Sequence, residues 1–77
     1  MPTLGEFIAR AKRYGYSKQT IRIREIRAKI VYLRRRHGHA LTLVDLPPIR
    51  ENDRLARAAL ESLCARSGIP LEDFGVS

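Results

Sequence analysis

The chain contains two histidines, His37 and His39, and both lie in the stretch RRRHGH at residues 34–39. Imidazoles exchange protons near neutral pH, so this pair could cleave RNA, with one ring as general base and the other as general acid. The alternative is that both are solvated residues of a turn, which is favoured because no acidic residue nearby in sequence would orient either ring. A metal site is the weakest interpretation, since His-x-His with Asp45 offers too few ligands at a recognised spacing.

Basic residues that could hold phosphate are numerous, and guanidinium groups bind phosphate through two parallel hydrogen bonds. In a strand, the three consecutive arginines of RRRHGH would alternate between faces, so only some of them could reach one ligand. Tyr32 could stack on a base if it were exposed, but we expect a half-buried sheet residue. The predicted nucleic-acid-binding residues are Arg10, Lys12, Arg13, Arg22, Arg24, Arg27, Arg34, Arg35 and Arg36.

The positive charge is concentrated in one half of the chain. Residues 1–39 contain eleven Lys and Arg against two acids, whereas residues 40–77 contain four Arg against six acids. This asymmetry favours a polyanionic partner, with nucleic acid ahead of an anionic membrane surface. The alternative is a solvated charged face that has no partner.

Length and composition limit the remaining possibilities. Seventy-seven residues allow one domain with a small core, so oligomerisation or a partner protein is a reasonable expectation. The lone Cys64 excludes an intramolecular disulfide, and we find neither a signal peptide nor a membrane-spanning run. These features predict a cytoplasmic protein. The sequence has no Gly-rich phosphate loop or paired-carboxylate site, so no cofactor is expected.

The N-terminal segment TLGEFIARAKRYGY, residues 3–16, predicts an amphipathic helix. Thr3 and Glu6 have the spacing of a capping box, and Gly15 is suited to end the helix. Its expected apolar stripe is Phe7, Ile8, Ala11 and Tyr14.

The segment RENDRLARAALESLCARSG, residues 50–68, predicts a second helix. Asn52 or Asp53 would cap its start, and Gly68 would follow its end. Its expected apolar face is Leu55, Ala56, Ala59, Leu60, Leu63 and Cys64. After this helix, we expect Ile69, Leu71 and Phe74 to fold back onto both helices.

The segment between these helices is compatible with two secondary structures. A helix over 18–37 would align several apolar residues, but six of the twelve residues from 20 to 31 are β-branched and favour a pleated surface. TIRIR alternates with period two, and KIVYLRRR and HALTLVDL read as further strands joined by a turn at RHGH. Strands are therefore preferred, although their register stays open.

Together these elements predict a single α+β domain over residues 1–77, in the order α-β-β-β-α. A three-stranded antiparallel sheet would pack against two helices. The second face of the sheet would stay open to solvent and carry part of the arginine set.

The chain resembles the HicA (YcfA-like) family, the small toxin component of bacterial toxin–antitoxin pairs. RLARAALESLCARSGIPLEDF resembles the family's closing helix and tail, the helix running into YGY resembles its opening helix, and LTLVDLP resembles its last strand. The resemblance covers most of the chain. It implies a dsRBD-like fold, an RNA-cleaving (mRNA interferase) activity and a cognate antitoxin protein as partner.

One departure from this family affects the expected chemistry. The family carries Gly-Ser-His where this chain has Arg27, Ala28 and Lys29, so its catalytic histidine is absent. A lysine with an ordinary pKa near about 10.4 is almost fully charged at neutral pH, so it can stabilise phosphate but is a poor general base. The candidate catalytic residues are therefore Lys29, His37 and His39. RNA binding without cleavage does not require the absent histidine.

Three functions follow from these observations. The first is RNA binding by a HicA-like protein, as an endoribonuclease or as a member that binds without cleaving. The second is a small helical DNA-binding regulator, which requires 18–37 to be a helix that enters a major groove. The third is a protein–protein interaction module of phage or plasmid type. We favour the first.

Overall fold

The architecture is one antiparallel sheet with helices on one side, seen in a computed structural model that describes residues 1–76. Its elements are helix α1 (Leu4–Arg13), strands β1 (Ser17–Ile23), β2 (Ala28–His37) and β3 (Ala40–Asp45), helix α2 (Arg57–Ser67), and a 3₁₀ helix (Leu71–Phe74). The strands lie in the order β1-β2-β3. The predicted α+β class and α-β-β-β-α order are confirmed, and the alternative helix over 18–37 is wrong.

The strand register that the sequence left open depends on a two-residue turn between β2 and β3. His37 pairs with Ala40, so Gly38 and His39 alone make the turn. Gly38 has a φ of +61°, which suits the first central position of a type II′ hairpin turn. The same register places Leu33 opposite Val44.

The core lies between one face of the sheet and the two helices. Leu33 and Val44 are fully buried there, together with Phe7 of α1 and Leu60 of α2. We call this the helix-side face of the sheet, and its opposite the open face. Because side chains alternate along a strand, the register assigns every other strand residue to one of these two faces.

The ends of α1 follow the prediction, with one exception on its apolar stripe. Thr3 Oγ1 accepts the Glu6 N–H at 3.1 Å, and the Glu6 carboxylate accepts the Thr3 N–H at 3.3 Å, which completes the capping box. Tyr14 is not buried as expected, since 37% of its surface is exposed. It lies at the C-terminal cap, where its hydroxyl donates to Asp73 at 2.5 Å.

Helix α2 begins later than predicted. Its N-cap is Ala56, which has no side-chain cap hydrogen bond, so the expected capping by Asn52 or Asp53 is wrong. The Asp53 carboxylate accepts the Arg50 N–H instead, and the Asp53 carbonyl accepts the Leu4 N–H at 3.0 Å. The backbone of 51–55 is therefore held by the start of α1.

The C-terminal end of the chain folds back as predicted. Gly68 ends α2 with a φ of +77°, and Ile69 is buried. Phe74 stacks on Phe7 with ring centroids 5.4 Å apart, and Leu71 packs against the same core. Burial of these apolar side chains is what holds the tail in place.

Candidate nucleic-acid interface

The free end of the sheet is a projecting hairpin of residues 21–30, which we call the β-arm. The helices cover the sheet around Leu33 and Val44, whereas all residues of the arm are exposed or half-buried. At about 3.3 Å per strand residue, the arm extends roughly 15 Å past the covered region. The molecule is correspondingly flat, with extents of 42 × 33 × 17 Å. Four predicted site residues lie on the arm: Arg22, Arg24, Arg27 and Lys29.

Two of these residues, Arg22 and Lys29, lie directly opposite each other on the helix-side face of the arm. Like charges at directly opposed positions destabilise an antiparallel pair. Neither side chain has a salt bridge within residues 1–76. A phosphate bound between them would reduce this repulsion, so the pair is suited to contact a polyanion.

The turn of the arm, residues 24–27, presents Arg24 and Arg27. Arg24 does not share a strand face with Arg22, because β1 ends at Ile23. The Arg27 N–H donates to the Arg24 carbonyl at 3.3 Å, and Arg27 has a φ of +50°. This left-handed conformation is strained for a residue with a Cβ, so an arginine is held where glycine would fit better.

The surface of α1 carries the second group of predicted residues, Arg10, Lys12 and Arg13. Lys12 and Arg13 are exposed and Arg10 is half-buried. None of the three has a salt bridge to another residue of the described chain. The hydrogen bond from Tyr14 to Asp73 raises the pKa of Tyr14 above its ordinary value of 10.0, and the nearby charge of Arg10 only partly opposes this. The Asp73 carboxylate is therefore hydrogen-bonded to a neutral phenol and does not neutralise the basic residues of α1.

The three consecutive arginines are divided between the faces of the sheet, as the sequence predicts. Arg34 and Arg36 lie on the open face, whereas Arg35 turns toward the helices. The Arg35 guanidinium carbon lies 4.6 Å from the centroid of the Tyr16 ring, and Nη1 donates to the Tyr14 carbonyl at 3.4 Å. Arg35 therefore has a packing role that its sequence context did not indicate.

The candidate catalytic residues do not come together. His37 ends β2 and His39 lies in the following turn, where both are exposed. Neither imidazole has a hydrogen-bond partner among residues 1–76. Lys29 lies eight residues back along the same strand, roughly 26 Å away. A single active site cannot contain Lys29 and the two histidines of one chain.

Lys29 lines a cleft of about 930 Å³ between the sheet, α1 and the loop 46–53. Leu4, Ile8 and Val31 supply apolar wall, and Lys18, Lys29, Arg50, Glu51 and Asp53 supply charged groups. Lys18 Nζ lies 2.5 Å from Glu51 Oε2, which neutralises one lysine and holds the pKa of Glu51 below its ordinary value of 4.5. Sequence analysis missed this pair, because its members are 33 residues apart.

No group of three or more His, Cys, Asp or Glu side chains within residues 1–76 could hold a metal ion. No helix in that range has the length and apolar character of a membrane span.

Comparisons with protein-family models, with curated proteins and with solved structures found no match to this chain. The resemblance to the HicA family therefore rests on the residues quoted above.

Proposed function

We propose that this protein binds RNA through the β-arm and the basic surface of α1. The observation that carries this proposal is that the basic half of the chain has almost no salt bridges to acidic side chains of the described residues. Of its eleven Lys and Arg, Lys18 is the one that forms a salt bridge within residues 1–76. A polyanion that neutralises the others would release counterions and gain affinity.

RNA is favoured over DNA by the arrangement of the basic groups. In double-stranded-RNA binders of this α-β-β-β-α order, helical surfaces contact successive minor grooves largely by shape and through phosphates. Here a basic helix and a basic arm lie on one flat molecule, and the helix that would have entered a DNA major groove is a pair of strands.

Because Lys29 stands where the family has its catalytic histidine, RNA binding without cleavage is the favoured activity. Its ammonium can stabilise a phosphate beside the cleft that it lines, and no imidazole of the described residues lines that cleft. By resemblance, the setting would be a cytoplasmic toxin–antitoxin pair, with an antitoxin protein as second partner.

The test is fluorescence anisotropy of a labelled RNA duplex of about 20 base pairs, titrated at several salt concentrations. We expect the double variant Arg22→Ala/Lys29→Ala to lower the slope of log K against log salt by about 1–2 and the affinity by about tenfold. The reason is the loss of two phosphate contacts on the arm.

The matched control is Arg57→Ala/Arg66→Ala on α2, which removes the same charge away from the arm. Its slope should stay within about 0.5 of the wild type. Equal losses in both variants would show that net charge alone drives binding. Tighter binding of a DNA duplex of the same sequence would overturn the assignment to RNA.

A further inference from the structure

The open face of the sheet carries six large apolar side chains among its polar ones, which is unusual for the solvent side of an antiparallel sheet. Along each strand, apolar residues on the core side normally alternate with polar residues on the solvent side. Here the exposed fractions are 47% for Ile21, 42% for Ile30, 48% for Leu41 and 55% for Leu43, with Ile23 and Tyr32 half-buried. We call these six residues the apolar face.

The register places the apolar face on all three strands, with Gln19 and Asp45 opposite Tyr32 on the neighbouring strands. Ile21 and Ile30 lie directly opposite each other, and Tyr32 is the next residue of this face along β2. On β3, Leu43 is the diagonal neighbour of Tyr32, and Leu41 is the next residue of this face. Contiguous exposed apolar patches of this kind mark interaction sites in soluble proteins.

Positive charge lies directly beside the two leucines of this apolar face. Arg34 lies opposite Leu43, and Arg36 lies opposite Leu41. The acid on this face, Asp45, lies opposite Tyr32. An occupant must therefore supply apolar side chains over the isoleucines and leucines and acidic side chains where it meets the two arginines.

This charge pattern argues against a second copy and against nucleic acid as the occupant. Two copies stacked through this face would bring together chains that each carry a net charge of +7. RNA bases are held by aromatic side chains or arginine planes, and Tyr32 is the single aromatic residue here, beside aliphatic Ile and Leu.

We propose that the apolar face docks an acidic amphipathic helix of a partner protein. A helix with one apolar stripe packs well on a sheet, and α1 and α2 already cover the other face in this way. Glutamates or aspartates beside the stripe would pair with Arg34 and Arg36. This docking goes beyond RNA binding and does not rest on it.

The test is a titration of protein labelled at Ile and Leu methyl groups, followed by NMR. The probe is a designed helical peptide of about 18 residues, with leucines at helical spacing and glutamates elsewhere. We expect the methyl signals of Ile21, Ile30 and Leu43 to shift, while those of buried Leu60 stay unchanged. A peptide with lysines in place of the glutamates is the control, and it should bind at least about tenfold more weakly.

Two variants test the face itself. The double variant Ile21→Thr/Leu43→Thr keeps strand-forming residues at exposed positions. It should weaken binding of the glutamate peptide by about tenfold or more. Arg34→Glu/Arg36→Glu should favour the lysine peptide. Equal binding of the two peptides by the wild type, or no shifts at millimolar peptide, would overturn the proposal. The proposal would also be overturned if these methyl signals shift with protein concentration alone, which indicates self-association, or when the RNA duplex is added.

Discussion

At the scale of single residues, neighbours of the same type have different roles. Arg35 and Arg36 are adjacent, yet the first is half-buried against Tyr16 and the second is exposed on the open face. Arg35 also approaches Gly15, where a Cβ would lie 3.5 Å from its Cδ atom. Its aliphatic stem therefore covers the junction of α1 and β1, as long basic side chains often do.

This difference predicts that truncation of the two side chains affects stability to different extents. Arg35→Ala should lower the free energy of unfolding by about 1–2 kcal/mol, because it removes stem packing and the contact with the Tyr16 ring. Arg36→Ala should change it by less than about 0.5 kcal/mol. Urea denaturation followed by circular dichroism measures both.

A second variant separates the stem of Arg35 from its charge. Arg35 Nε is buried and has no hydrogen-bond partner within residues 1–76, so removing this unpaired donor offsets the loss of the guanidinium's contact with the Tyr16 ring and of its hydrogen bond to the Tyr14 carbonyl. Arg35→Met should therefore stay within about 0.5 kcal/mol of the wild type. A loss as large as that of Arg35→Ala would mean that the cation, rather than the stem, supplies the stability.

At the scale of elements, the segment before α2 shows how tertiary contacts override a local helix signal. Gly5 N–H donates to the Glu51 carbonyl at 2.7 Å, and a Cβ at Gly5 would come within 3.0 Å of that oxygen. Glycine therefore permits the close approach of residues 51–55 to α1. The Lys18–Glu51 ion pair adds a link from the same segment to β1.

The Lys18–Glu51 pair predicts a pH dependence. The hydrogen bond and charge of Lys18 lower the pKa of Glu51 in the folded protein, so the pair stabilises the fold above pH 4.5 and loses this effect as the pH falls through the lowered value. Glu51→Gln should cost about 0.5 kcal/mol or less at pH 7, because both side chains are partly exposed. The difference from the wild type should shrink as the pH falls below 4.5 and through the lowered pKa of Glu51.

Denaturation at several pH values, with Lys18→Met as the matched partner variant, measures this effect. Each single variant should lose the pH dependence of the free energy of unfolding that the pair supplies. The double variant should lose no more than either single variant. Additive losses would show that Glu51 and Lys18 act on stability separately.

At the scale of the whole molecule, a small core supports a sheet that extends beyond it. Leu63 of α2 and Leu33 of β2 are among the fully buried side chains, whereas Leu43 on the open face is more than half exposed. The helices thus stabilise one end of one face, and the β-arm and the open face remain available for partners.

Leucine truncations on the two sides of the sheet should therefore differ. Leu63→Ala removes buried methyl groups and leaves a cavity, so it should cost about 2–4 kcal/mol. Leu43→Ala should cost less than about 0.5 kcal/mol, since its side chain already contacts water. Thermal unfolding of both variants checks this, and a near-zero effect of Leu63→Ala would contradict the observed core.

Local sequence features determined most of the elements of this protein. The capping box of Thr3 and Glu6, the β-branched run from 20 to 31, and the left-handed Gly68 each act through neighbouring backbone groups, so they could be predicted without long-range contacts. The alternation of Arg34 to Arg36 across the sheet followed from the same local geometry.

Tertiary structure decided the features that depend on distant partners. The start of α2 depends on hydrogen bonds to Pro2, Leu4 and Gly5, and the role of Arg35 depends on Tyr16. The apolar face became visible only when the register assigned Ile21, Ile30, Leu41 and Leu43 to one side of the sheet. A shift of one residue in a strand exchanges its two faces, so composition alone could not show which set would lie open.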